Sequence, residues 1–187
     1  MPSEGIPIER SLYSWEIQEA RRVFANQLIY TVVRIRECAG WPDTLKRLSY
    51  RLQRLPYNGL PNAITLGNTC YFPVRLLEAP VPLSHPDHTK IAWLIHELTH
   101  VWQYQRMGWG YLGKALQTQL TQGAKAYEFG GEAGLVEAYQ QGKKLTSFNL
   151  EQQGDICRSY YNQLCAGADI SAWQPYIAEL QQATIPG

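Results

Sequence analysis

Thr89-Lys-Ile-Ala-Trp-Leu-Ile-His-Glu-Leu-Thr-His-Val-Trp-Gln-Tyr-Gln-Arg-Met107 carries a long helical pattern, with Gly108 behind it as a stop signal. The helix is expected to start at Asp87 or Thr89. At about 100° per residue, Ile91, Leu94, Ile95, Leu98 and Trp102 share one face. His96 and His100 fall on the opposite face, one turn apart, where both imidazoles can reach one ion. Glu97 points between, placed to hydrogen-bond a water on that ion rather than to ligate. Two surface histidines matching by chance is the plainer reading. A core stripe opposed to a separate, cleft-facing chemical side weighs against it.

A catalytic zinc site takes three protein ligands and leaves one position for water. The continuation His-x-x-Gly-x-x-His is absent, because Gln103 and Arg106 stand at the required positions. His85 and His88 lie in a proline-containing loop and are expected to face solvent. The acidic candidates are Glu128, Glu132, Glu137, Glu151 and Asp155. Only Glu151 opens an apolar helical pattern and carries a carboxylate one turn on, Asp155. In that arrangement Glu151 binds the metal while Asp155 accepts the free N–H of a ligating histidine. As the plainer reading, Glu151 is a first-turn carboxylate favoured by the helix dipole. Glu128, Glu132 and Glu137 remain open as third ligands.

Around this core the chain predicts an α+β fold, mainly helical, with a small sheet beside the histidine helix. A first helix runs from a Ser14 cap to about Leu28, and Thr31-Val32-Val33-Arg34-Ile35 reads as a strand. A second helix covers residues 43–55, with Leu45, Leu48, Leu52 and Leu55 in register. Six of the eleven prolines lie between Pro56 and Pro86, a stretch of turns and extended segments. Within it Ile64-Thr65-Leu66 and Cys70-Tyr71-Phe72 flank Gly67-Asn68-Thr69, a hairpin with Ile64, Leu66, Cys70 and Phe72 as inward candidates. Further helices are expected over 111–122, 124–144 (interrupted by glycines) and 149–164, and Ser171 caps a last one with Pro175 in its first turn.

The 187 residues suit one domain. A 45% hydrophobic and 18% charged composition is that of a globular chain. A formal net charge of +1 argues against a nucleic-acid or membrane-surface binder. No apolar run approaches bilayer length, and the N-terminus shows no signal-peptide pattern, so the chain is expected to be cytoplasmic as synthesised. Cys38, Cys70, Cys157 and Cys165 include no Cys-x-x-Cys pair and read as reduced thiols.

With these residues placed, the chain resembles the gluzincin branch of zincin metallopeptidases, whose pattern is His-Glu-x-x-His followed by Glu-x-x-x-Asp on a later helix. It is similar more narrowly to the small metallopeptidase domains of bacterial Rhs-type toxins and secretion-spike effectors. The resembling stretches are Tyr13-Ser-Trp-Glu-Ile, Val33-Arg-Ile, Ile64-Thr-Leu-Gly-Asn-Thr-Cys-Tyr-Phe-Pro, Ile95-His-Glu-Leu-Thr-His-Val-Trp-Gln-Tyr-Gln and Glu151-Gln-Gln-Gly-Asp-Ile. The fifty residues between His100 and Glu151 exceed the spacing of the best-known gluzincins.

The resemblance implies zinc as the cofactor, a peptide or protein substrate, and export by a signal-independent secretion or injection machine. It implies Glu97 as general base, Asn62 and Ala63 on a substrate-pairing edge strand, and Tyr160 or Tyr161 as an oxyanion donor. Buried packing is the plainer role for both tyrosines, and a structural hairpin for Asn62–Ala63. A non-catalytic zinc-braced binding or toxin domain, and a zinc amidase for a non-protein amide, are the competing functions.

Overall fold

A computed structural model describes residues 7–40, 63–110 and 128–182. The helices expected over 43–55 and 111–122, and Asn62, lie outside these residues. The described elements are β1 (Ile8–Arg10), α1 (Ser14–Phe24), β2 (Arg34–Glu37), β3 (Ile64–Leu66), β4 (Thr69–Tyr71), α2 (Thr89–Met107), α3 (Gly131–Gln140), α4 (Leu150–Ala166) and α5 (Gln174–Gln182). The fold is α+β, with a small four-stranded sheet in the order β1-β2-β4-β3. β1 and β2 are antiparallel, β2 and β4 parallel, and β3 and β4 antiparallel, which leaves β3 at an edge.

The hairpin differs from the reading above by one residue. Thr69 belongs to β4, so the loop is the two-residue Gly67–Asn68, with Gly67 at φ +62°. Thr65 therefore pairs with Cys70, and Leu66 with Thr69. A one-residue change of register moves a strand's side chains to the other face. Ala63, Thr65, Cys70 and Phe72 are the buried set, whereas Ile64 and Leu66 are only half-buried. The second strand also shifts. Tyr30–Val32 form a 3-10 turn, and pairing begins at Arg34, held by its N–H to Asn68 O.

α2 runs to Met107 and stops at Gly108, whose φ of +61° suits a residue without Cβ. Its apolar residues Leu94, Ile95, Leu98 and Val101 join Val33, Ile35, Cys70 and Phe72 in the core. The opposite face is buried too, because α2 lies between the β3–β4 hairpin and α4. α4 starts on a reciprocal cap: Gln152 N donates to Asn149 Oδ1 at 2.8 Å, and Asn149 N to Gln152 Oε1 at 3.0 Å. Glycines stand at the start of α3 as well as within it, and Pro175 lies in the first turn of α5. Ser171 falls in the turn before α5 instead of capping it. α1 ends at Phe24, so Leu28 reaches the core from the loop beyond. All four cysteines are free thiols, with Cys70 and Cys157 buried. Among the described residues, no helix is long and apolar enough to cross a membrane.

Candidate metal centre

His96 and His100 project from α2 toward the first turn of α4, and Glu151 comes back to meet them. The two imidazole Nε2 atoms are 3.2 Å apart. Glu151 Oε2 lies 3.4 Å from His96 Nε2 and 3.5 Å from His100 Nε2. This buried His-His-Glu group is the donor cluster able to hold a metal ion among the described residues. The histidines retain 6% and 7% exposure and Glu151 only 3%, so the group is enclosed between helices, not displayed on a cleft-facing surface.

The backbone of α4 can come this close only because residue 154 is glycine. A Cβ there would stand 2.7–3.0 Å from three atoms of the His96 ring.

Each imidazole is oriented from behind. His96 Nδ1 is 2.9 Å from Asp155 Oδ1, and Arg158 Nη2 reaches the same oxygen at 3.0 Å. His100 Nδ1 meets Gln103 Oε1 at 2.8 Å. The amide of Gln103 donates to Leu150 O and to Gln153 Oε1, both at 3.0 Å, and Gln153 Nε2 donates to Phe148 O at 2.9 Å. A carbonyl can only accept, so this chain of amides has one direction. Phe148 O requires the Gln153 NH2 group. Gln153 Oε1 then takes the Gln103 NH2, and Gln103 Oε1 is left facing His100. The proton therefore belongs on His100 Nδ1, which leaves Nε2 as the nitrogen facing His96 and Glu151.

The charges fit the same picture. Burial disfavours the charged form of His96, yet Asp155 and Glu151 outweigh it and raise the group to about 10. Burial likewise opposes charge on His100, and Glu151 raises it. Burial would raise Glu151, but the two imidazoles hold it well below the usual carboxylate range.

Glu97 is buried at 4% exposure and lies outside the donor group. Its Oε2 accepts from Thr65 Oγ1 at 2.7 Å. Among the other candidates, Glu128 and Glu132 are exposed, and exposed Glu137 accepts from Gln141 on the surface of α3. His85 is exposed and accepts the Asp87 N–H at the start of α2. His88 is buried instead of solvent-facing, its ring stacked on Tyr161 at 6.1 Å. The Tyr161 hydroxyl donates to Glu19 of α1 at 2.9 Å, which turns it away from the donor group. Tyr160 packs in the core near Arg22 of α1. The contacts of both tyrosines are those of core packing. Ala63 is buried just ahead of β3.

Sequence reasoning missed Thr65, Gln103, Gln153 and Gly154. Gln103 had a readable signal: a polar residue three after His100 on a helix shares its face. Thr65 had one in the loop length of the hairpin. Gly154 had none, because only the tertiary approach of two helices requires it.

Two helical histidines facing a carboxylate from a later helix, one imidazole hydrogen-bonded to an amide and the other in close ion-pair contact with a carboxylate, define a candidate metal centre. No protein family matches the chain, and no solved structure does. The chain is 28% identical over 152 residues to the type VI secretion system spike protein VgrG2b of Pseudomonas aeruginosa (strain PAO1). The match covers 81% of this chain and 13% of that protein, so the chain spans a small part of its relative's length.

Proposed function

We propose that this chain is a zinc-dependent metallopeptidase of gluzincin type, acting as the effector domain of a secretion machine. The observation that carries the reading is the buried Glu97 carboxylate standing beside a three-donor group without belonging to it. A tetrahedral zinc with bonds of about 2.0–2.1 Å separates its ligand atoms by about 3.4 Å. The spacings of 3.2, 3.4 and 3.5 Å fit that requirement. Two nitrogens and one carboxylate oxygen are also a donor set that zinc accepts, with a fourth position left over. His85 and His88 are engaged elsewhere, which supports that open position.

When bound, the ion supplies a water acidified toward neutrality and a Lewis-acid contact for the scissile carbonyl. Asp155 and Gln103 hold the imidazoles in the ligating tautomer. Glu97, tethered at Oε2, uses Oε1 to take the proton of the attacking water and pass it to the leaving amine. The expected substrate is a peptide or protein. Similarity to a spike protein supports delivery by a secretion machine.

The near-complete burial of the group is the observation that favours a second reading, an ion that only braces α2 against α4. Glu97→Gln separates the two. In the peptidase, the variant keeps about one zinc per chain and loses at least about a hundredfold in peptide hydrolysis. Hydrolysis at the wild-type rate would end the general-base assignment.

A further inference from the structure

Thr65 presents a buried hydroxyl on the edge strand, within hydrogen-bond reach of the Glu97 carboxylate. It sits on edge strand β3 at 6% exposure, opposite Cys70 and in the same buried set as Ala63 and Phe72. Valine has the same shape and is at least as good a strand former. A buried hydroxyl costs free energy unless it is hydrogen-bonded. Thr65 Oγ1 stands 2.7 Å from Glu97 Oε2 and 3.3 Å from Glu97 O, so its single proton goes to the nearer carboxylate oxygen. The bond joins the sheet edge to α2 at the residue between the two helical histidines.

We propose that Thr65 is a positioning residue for Glu97. By tethering Oε2 to the edge strand, it fixes the rotation of the carboxylate and leaves Oε1 as the oxygen that addresses the attacking water. The proposal rests on the hydrolytic reading above. It adds that β3 sets the base as well as lying beside the site. A carboxylate on a helix has three side-chain torsions to fix, and a tether at one oxygen fixes the last of them.

The test uses zinc-loaded Thr65→Val and Thr65→Ser in the full chain, with zinc content measured for each. Both should keep about one zinc. Thr65→Val should lose about 10- to 100-fold in kcat with KM within about twofold, and Thr65→Ser should recover most of the loss. A Thr65→Val enzyme with wild-type kcat, or a Ser variant as impaired as Val, would overturn the proposal. Should Thr65→Val not fold, Thr65→Ala against Thr65→Ser makes the same comparison. Crystal structures of the zinc-loaded wild type and Val variant give a reading independent of activity. Glu97 should turn away from its wild-type rotamer in the variant, and an unchanged rotamer would overturn the proposal. Absence of hydrolysis in the wild type would defeat the peptidase reading alone, since the rotamer still decides the role of Thr65.

Discussion

At Gly154 a Cβ would lie 2.7 Å from Cε1 and 2.9 Å from Nδ1 of His96. The ring cannot simply swing aside, because Asp155 holds it at 2.9 Å and Glu151 lies at 3.4 Å on its other nitrogen. Gly154→Ala should therefore lower stability by about 1–3 kcal/mol through overpacking. It should also weaken zinc binding, read by competition titration; unchanged affinity would remove His96 from the ligand set. Gln103→Met keeps the volume and deletes the His100 partner, and a 10- to 100-fold loss of metal affinity, about that of other outer-shell changes, is expected. The metal-free protein has its own pH signature. His96 and His100 are raised in the folded state, so their stabilisation is fully present below about 6.5, their unfolded value. For His96 it is lost as pH climbs through about 10. Glu151 is lowered, so its contribution is present above about 4.3 and lost as pH falls. Melting temperatures of the metal-free chain should decline on both sides of a plateau between these limits. Zinc must displace the imidazole protons, so its affinity should rise with pH over the same alkaline range.

Between elements, a buried ion cluster ties β1, α1 and β2 together. Arg10 forms salt bridges to Glu16 at 2.7 Å and to Glu37 at 2.8 Å, with all three side chains at 11% exposure or less. Glu16 also accepts the Tyr13 N–H at the start of α1. Arg10→Ala would leave two buried carboxylates without their cation, at a cost of about 3–5 kcal/mol. Chemical denaturation should show that loss, and a loss under about 1 kcal/mol would mean the cluster is solvent-screened. Elements were legible in the sequence where local periodicity specifies them. The extent of α2 followed from its pattern and Gly108, and the pairing of Glu151 with Asp155 from one-turn spacing on α4. Register was not local. A three-residue loop between β3 and β4 puts Leu66 inward, whereas the two-residue loop puts Thr65 there, beside Glu97. The β-branched run Thr31–Val33 reads as strand by propensity, yet most of it lies in a 3-10 turn, since β propensity depends on the neighbours a strand meets. α2 showed one buried stripe in its sequence; the second, of imidazoles and Gln103, is buried only because α4 covers it.

For the molecule as a whole, the site is a joint between two layers. α2 supplies His96, Glu97 and His100, the hairpin fixes Glu97 from one side, and α4 supplies Glu151 and Asp155 from the other. An ion at that joint binds the folded chain alone, so zinc at a thousand times its dissociation constant should add about 4 kcal/mol of stability. Chelation should lower the melting temperature, and zinc alone should restore it. Glu151→Ala should abolish most of this zinc-dependent shift, and a full shift in that variant would mean another acid completes the site. The most direct measurement is a crystal structure of the zinc-loaded protein with data collected at the zinc absorption edge. The account predicts one anomalous peak bonded to His96 Nε2, His100 Nε2 and a Glu151 oxygen at about 2.0–2.2 Å, with a water in the fourth position within hydrogen-bond reach of Glu97. A peak elsewhere, or Glu97 itself bound as a fourth ligand, would contradict it.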